Sequence, residues 1–311
     1  MALFFMITGF LFISKLIKEN GRTNWFKLYE SRIFRIYPLY VFSLLLITVV
    51  VFSCKNFDLN VSLLEVVNQY ILWGVFHGGI INNFSDTNII NAGVDWTLKY
   101  EWLFYISLPI ISSIIIRFRH LGSFFILIMS ILLFQEPIQF HSINTQFFIL
   151  FSIGGFVAFL FNRYKIPESF MKSTLMSSFT LLIIVACIFY AWTLSSIHVV
   201  LISIFFIMVV FGNDMFGVFS LKSSILLGEI SYSIYLLHGV ILYLAFSVFP
   251  IAEIRNYSLN NYLIFMPLAT IAVILVSAFT FIWIEKPCID FGRKYVLTSS
   301  LLSIKNKYKA P

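Results

Sequence analysis

Two ionisable side chains interrupt runs that are otherwise apolar, and two arginines stand together at the edge of a third. Glu101 lies in Trp96-Thr-Leu-Lys-Tyr-Glu-Trp-Leu-Phe-Tyr-Ile-Ser-Leu-Pro109, and His238 ends Leu227-Gly-Glu-Ile-Ser-Tyr-Ser-Ile-Tyr-Leu-Leu-His238. A charged group within hydrocarbon costs at least about 2.5–3.5 kcal/mol, so each such position calls for a reason. Glu101 either pairs with Lys99 or with water at the membrane interface, or its carboxylate orients a base or binds a substrate hydroxyl. His238 reads either as a satisfied packing residue or as a base, a role suited to imidazole. Tyr232, Tyr235 and His238 recur at i, i+3 and i+6, near one stripe of a helix, and a polar stripe within a bundle points inward. Arg32 and Arg35, three apart ahead of Pro38, present two guanidinium groups on one face, with the proline suited to the first turn of a helix. They either anchor topology or grip the phosphates of a nucleotide-bearing donor such as coenzyme A, whose oxygens match the bidentate fork.

Other chemistries lack a sequence basis. No Walker A loop, G-x-G-x-x-G, H-E-x-x-H or G-x-S-x-G occurs, which leaves ATPase, dinucleotide, zincin and hydrolase readings unsupported. Cys54, Cys187 and Cys288 are odd in number and far apart, so they suggest neither a disulfide framework nor a metal site and read as apolar fillers.

The elements that position these residues follow from composition. Of 311 residues 60% are hydrophobic and only 11% charged, and the mean hydropathy is +0.93. Such a chain cannot cover its apolar surface with a polar shell, and the reading is an all-α, polytopic transmembrane helix bundle. Nine runs are long or apolar enough to serve as spans: Ala2–Leu16, Ile36–Ser53, Trp96–Ile116, Leu121–Phe134, Gln146–Phe161, Thr174–Trp192, Ile197–Phe211, Ile225–Val248 and Tyr262–Ile284. Val61–Phe76 carries Glu65, Asn68 and Gln69 and reads as interfacial or re-entrant. Gly154-Gly155 is explained by close helix packing. One membrane domain over 1–290 and a basic tail over 291–311 are expected.

The formal charge of +7 would suggest nucleic acid in a soluble protein, but its placement speaks against that partner. Basic residues crowd into Lys15–Arg35 and into the tail from Glu285, and the nine-span arrangement puts eighteen of the 21 on one side. The excess of Lys and Arg makes that side cytoplasmic, with the C-terminus inside and the Lys55–Asp95 loop outside. An odd span count then leaves Met1 outside, with no basic n-region or A-x-A site of a cleavable signal peptide.

Several runs, taken in order, resemble the acyltransferase 3 family, integral-membrane O-acyltransferases of bacterial surface polysaccharides. Leu3-Phe-Phe-Met-Ile-Thr-Gly-Phe10 is similar to its L-F-F-x-x-S-G-F, with Thr8 where serine is usual. Arg32-Ile-Phe-Arg-Ile-Tyr-Pro38 matches R-x-x-R-I-x-P, and Trp96 to Pro109 matches W-[ST]-L-x-x-E-x-x-F-Y-x-x-x-P. Phe151 to Ala158 matches F-x-x-G-x-x-x-A, Leu227 to His238 matches L-G-x-x-S-Y-x-x-Y-L-x-H, and Glu285-Lys-Pro287 resembles the closing E-x-P.

The resemblance implies transfer of an acyl group, usually acetyl, from cytoplasmic acetyl-CoA or another acyl-CoA to a sugar hydroxyl of a surface glycan such as O-antigen or exopolysaccharide, or of a lipid-linked oligosaccharide, in the bacterial inner membrane. It implies Arg32 and Arg35 as donor-phosphate ligands, Glu101 and His238 as catalytic groups, and Trp96, Tyr232 and Thr8 as substrate-binding residues. No metal is implied, and membrane lipids are the surrounding partner. The family has ten spans and begins with a helix bearing an essential histidine; the motif runs here start at Leu3, so an amino-terminally short chain with little activity of its own is expected. A transporter or flippase is the competing class, but such folds more often show internal repeats, and no clear repeat relates the halves.

Overall fold

The computed structural model describes residues 1–20, 22–118, 120–135, 137–140, 143–189, 195–248 and 259–295. The expected basic tail therefore lies outside the described residues from 296 onward. The helices, in chain order, are α1 (Ala2–Lys18), α2 (Trp25–Cys54), α3 (Leu63–Gly74), α4 (Thr87–Ile90), α5 (Asp95–Phe118), α6 (His120–Gln135), α7 (Phe148–Arg163), α8 (Glu168–Met171), α9 (Thr174–Phe189), α10 (Ser196–Val210), α11 (Lys222–Glu229), α12 (Ser231–Tyr243) and α13 (Leu259–Thr280). Among the described residues a short antiparallel pairing joins Gln139–Phe140 with Ile143–Asn144 as a hairpin. The protein is an all-α polytopic bundle, as its composition requires.

Among the described residues five stretches are long and apolar enough to cross a membrane: Trp25–Cys54, Asp95–Phe118, Thr145–Arg163, Ser231–Val248 and Leu263–Tyr295. The other expected spans form shorter apolar helices: α1, Ile126–Gln135, α9 and α10. Two departures from the sequence reading touch quoted motif runs. The stretch Ile225–Val248 breaks between α11 and α12 at Ile230, and beside the break the Ser231 hydroxyl donates to the Gly228 carbonyl at 2.8 Å. Pro38, read as a first-turn residue, lies inside α2, because the helix starts earlier at the Asn24 cap, whose side chain accepts from the Lys27 N–H at 3.2 Å.

The helices gather into two compact units, Met1–Thr23 with Tyr100–Leu226, and Asn24–Lys99 with Leu227 onward. In the first unit α1 runs against α7 at backbone contact. A Cβ at Gly9 would collide with the Phe151 carbonyl and one at Gly154 with the Met6 carbonyl, so both positions admit only hydrogen. Around this contact Phe151 stacks on Phe5 at 4.6 Å and on Phe104 at 4.5 Å between ring centroids, which fixes α5 in the same layer.

In the second unit the Lys55–Asp95 segment is a hydrogen-bonded cap. Asn82 donates through Nδ2 to the Asp58 carbonyl at 2.7 Å, accepts at Oδ1 from the Asn60 N–H at 2.8 Å, and its own N–H donates to Gln69 Oε1 at 3.0 Å. Within the cap, Ser62 and Glu65 begin α3 with the S-x-x-E signature, and the Ser62 hydroxyl accepts from the Glu65 N–H at 3.3 Å. At 12 residues α3 is about 18 Å long, too short to cross the hydrocarbon, in keeping with its reading as a non-spanning segment.

Candidate functional site

Glu101 belongs to the first unit and is buried, only 5% exposed. Its Oε1 accepts from the hydroxyl of Tyr105 one turn along α5. The Tyr105 ring packs on Phe12 of α1 at 4.9 Å, and the Tyr100 hydroxyl oxygen accepts from the Asn144 N–H at 2.6 Å. The carboxyl is thus enclosed by an aromatic layer whose members are themselves held by two other helices and the hairpin. Thr8 is also buried in this unit, on α1 beside the Gly9 contact.

Below Glu101 along α5 the same unit holds a cavity of about 160 Å³, bordered by Ile13, Phe104, Ile111, Phe151, Ser130 and Ser152. The two serine hydroxyls stand 2.5 Å apart, and each also lies within hydrogen-bond distance of a carbonyl of its own helix, Ile126 for Ser130 and Phe148 for Ser152.

His238 belongs to the second unit. Its Nδ1 lies 2.7 Å from the backbone carbonyl of Tyr235 in the preceding turn of α12. A carbonyl only accepts, so the tautomer that suits this contact carries its N–H at Nδ1 and its acceptor at Nε2. The side chain borders a cleft of about 540 Å³ between α12 and α13, with Tyr235, Ser231, Met266, Thr270 and Val273. Tyr235 is held in turn from the other side, its hydroxyl 3.0 Å from Thr97 Oγ1 and 3.3 Å from the Val94 carbonyl. Next along α12, Gly239 meets the backbone at Asn91 and Ala92 too closely for a Cβ, so the cap ahead of α5 is seated against the His238 turn.

Tyr232 does not share that cleft with Tyr235 and His238. Its ring is buried and its hydroxyl donates to the Ile36 carbonyl of α2 at 2.9 Å. The i, i+3, i+6 stripe therefore divides. At 3.6 residues per turn each three-residue step falls 60° short of a full turn, so six residues leave Tyr232 and His238 about 120° apart, enough to turn them onto different neighbours. Trp96 is half-buried on the first turn of α5 in the second unit.

Arg32 is half-buried and Arg35 exposed on α2, one turn apart. Beside them is a group the sequence reading passed over as a site residue: Glu285, 1% exposed at the end of a π-helical turn, Phe281–Glu285. Its Oε2 accepts from the Ser233 hydroxyl at 2.8 Å, and Arg35 acts on it electrostatically. A second such residue is Asp95, 6% exposed, which accepts from the Gly78 N–H and from Asn91 Nδ2, each at 3.1 Å. Glu285 is the first residue of the quoted Glu285-Lys-Pro287 run and Asp95 directly precedes the quoted run from Trp96, so counting every carboxylate in or beside those runs would have found them. Among the described residues no group of three or more His, Cys, Asp or Glu could hold a metal ion.

A comparison with family models matches residues 1–284 to the acyltransferase domain of the acyltransferase 3 family. No curated protein and no solved structure matches the chain.

Proposed function

This chain belongs to the acyltransferase 3 family and is a membrane acyltransferase, and from that premise we propose that it carries an acyl group, acetyl in the simplest case, from acyl-coenzyme A to a sugar hydroxyl of a cell-surface polysaccharide or its lipid-linked precursor. The site of action proposed is the bacterial inner membrane with the C-terminus cytoplasmic, supported by the one-sided crowding of basic residues.

In the transfer the hydroxyl oxygen attacks the thioester carbonyl carbon, a base takes the hydroxyl proton, and the carbon–sulfur bond breaks. The departing thiolate takes up a proton, so the products are a sugar ester and free coenzyme A. The observation that carries a base at His238 is its Nδ1 contact with the Tyr235 carbonyl, which keeps Nε2 as an acceptor in a side chain bordering a cleft. Arg32 and Arg35 supply guanidinium forks for the donor's phosphates. Glu101 offers a buried carboxyl for a substrate hydroxyl or for charge that builds up as the bond forms. Trp96 and Thr8 remain candidates for substrate contact, whereas the Tyr232 hydroxyl is committed to the α2 backbone.

The test is transfer of labelled acetyl from acetyl-coenzyme A to a lipid-linked oligosaccharide by membranes containing the protein, with His238→Asn and Arg35→Ala beside it. Loss of transfer in His238→Asn at unchanged expression, and a raised donor KM in Arg35→Ala, are expected. Full activity of His238→Asn would return that residue to packing, and the absence of transfer from any acyl-coenzyme A would sink the reading as a whole.

A further inference from the structure

We infer that a cleft at the C-terminal end of α1, in the first unit, binds an anionic glycerophospholipid through Lys15, Lys18 and Ser14. The cleft encloses about 390 Å³ between the ends of α1 and α7, within the range of about 300–1,000 Å³ typical of small-molecule sites. Its walls are apolar, with Leu11 and Phe161 exposed, and its rim is basic, with Lys15 and Lys18.

The helical register is what selects a lipid. Phe4, Ile7 and Leu11 are the exposed large hydrophobic residues in the body of α1, at the i+3 and i+4 spacing of a single face. Lys15 and Lys18 continue that face at the same spacing and are themselves exposed. An acyl chain lying along Phe4, Ile7 and Leu11 would bring its glycerophosphate to the two ammonium groups one turn further on, about 6 Å beyond Leu11. A free phosphate would gain nothing from the apolar part of this stripe. Basic pockets between membrane helices are where anionic headgroups bind.

Two further features fit the headgroup. The Ser14 hydroxyl, which borders the cleft, is buried and has no hydrogen-bond partner among the described residues, so it is available as a donor to a headgroup oxygen. Glu19 also borders the cleft and opposes an anion, but its carboxylate is engaged on its own side. Oε2 accepts from the Thr23 hydroxyl at 2.6 Å, and Oε1 stands 3.8 Å from Lys15 Nζ. A half-exposed pair at that separation is worth little, so Lys15 is free to turn to a phosphate, and two ammonium groups against one carboxylate leave the cleft positive. Asn162, on the facing wall, donates to its own helix at the Ala158 carbonyl, 2.7 Å away, which leaves its side-chain oxygen pointing elsewhere than that bond.

The full chain in nanodiscs or detergent is to be titrated with phosphatidylglycerol and, separately, phosphatidylcholine, with bound lipid counted by native mass spectrometry. Selective binding of phosphatidylglycerol is expected. Replacing both Lys15→Gln and Lys18→Gln should weaken it roughly thirtyfold, about fivefold per lysine. Lys172→Gln, which removes a lysine of the same unit that does not border the cleft, should leave it unchanged. If the double variant fails to insert, Lys18→Gln alone carries the same comparison. Equal binding of the two lipids, unchanged affinity in the lysine variants, or displacement of phosphatidylglycerol by millimolar inorganic phosphate would each overturn the assignment, the last by making this a soluble-phosphate site.

Discussion

Glu101→Gln keeps the shape of the side chain and its acceptor toward Tyr105 but cannot ionise. Transfer is expected to fall by two orders of magnitude or more, on the order of what removal of one charge-stabilising group costs, while expression and thermal unfolding stay close to those of the parent. Acylation at the parent rate would make Glu101 a packing group. Tyr235→Phe tests the other unit. It deletes the hydroxyl that meets Thr97 and the Val94 carbonyl yet leaves the backbone carbonyl that contacts His238. A loss of about 0.5–1.5 kcal/mol in stability is expected, with transfer lowered through a less firmly held His238 turn. Stability measured by thermal unfolding and unchanged to within error would show that Tyr235 is held by its ring alone. Ser233→Ala removes the bonded partner of a carboxyl that is 1% exposed, and should cost about 1–3 kcal/mol, since Glu285 stays behind in the same enclosure.

At the scale of elements, the first unit depends on how closely α1 and α7 approach. Gly154→Leu would push a branched side chain into the Met6 carbonyl, and no rotamer change relieves a collision with backbone. A loss of at least about 1–3 kcal/mol is expected, the usual cost of overpacking, seen as a lower unfolding midpoint in detergent; an unchanged midpoint would mean that the helices separate freely. In the second unit the Lys55–Asp95 cap is seated on α12 through Tyr235 and Gly239. The turn that carries His238 is therefore braced by a segment that membrane-span counting treats as a loop.

For the whole molecule the testable quantity is orientation. Cys54 is exposed at the end of α2 where the cap begins, and Cys288 is half-buried in the helical stretch Leu263–Tyr295. With the Lys15–Arg35 loop inside, a membrane-impermeant maleimide should label Cys54 from the outer face of intact cells, and should reach Cys288 only after the membrane is opened. Labelling of Cys54 exclusively from the cytoplasmic side would invert the topology and with it the side proposed for the donor.

The amino-acid sequence by itself determined the class of fold, because an 11% charged chain has no polar shell to offer, and it set α3 apart from the apolar spans, because Glu65, Asn68 and Gln69 interrupt it. It singled out Glu101, His238, Arg32 and Arg35, since charges and imidazoles in apolar runs are costly enough to be visible without coordinates. Helical spacing was less informative for Tyr232, because residues six apart lie about 120° out of line and only the neighbouring helices decide which surface each one meets. The break at Ile230 was likewise hidden, as the run Ile225–Val248 carries no proline and reads as one continuous apolar stretch. The burial of Glu285 against Ser233, 52 residues away, and the hold of Thr97 on Tyr235, 138 residues away, belong to the tertiary structure alone. Contacts at such separations leave no periodic trace, because they are chosen by how helices pack and not by the local order of residues within any one of them.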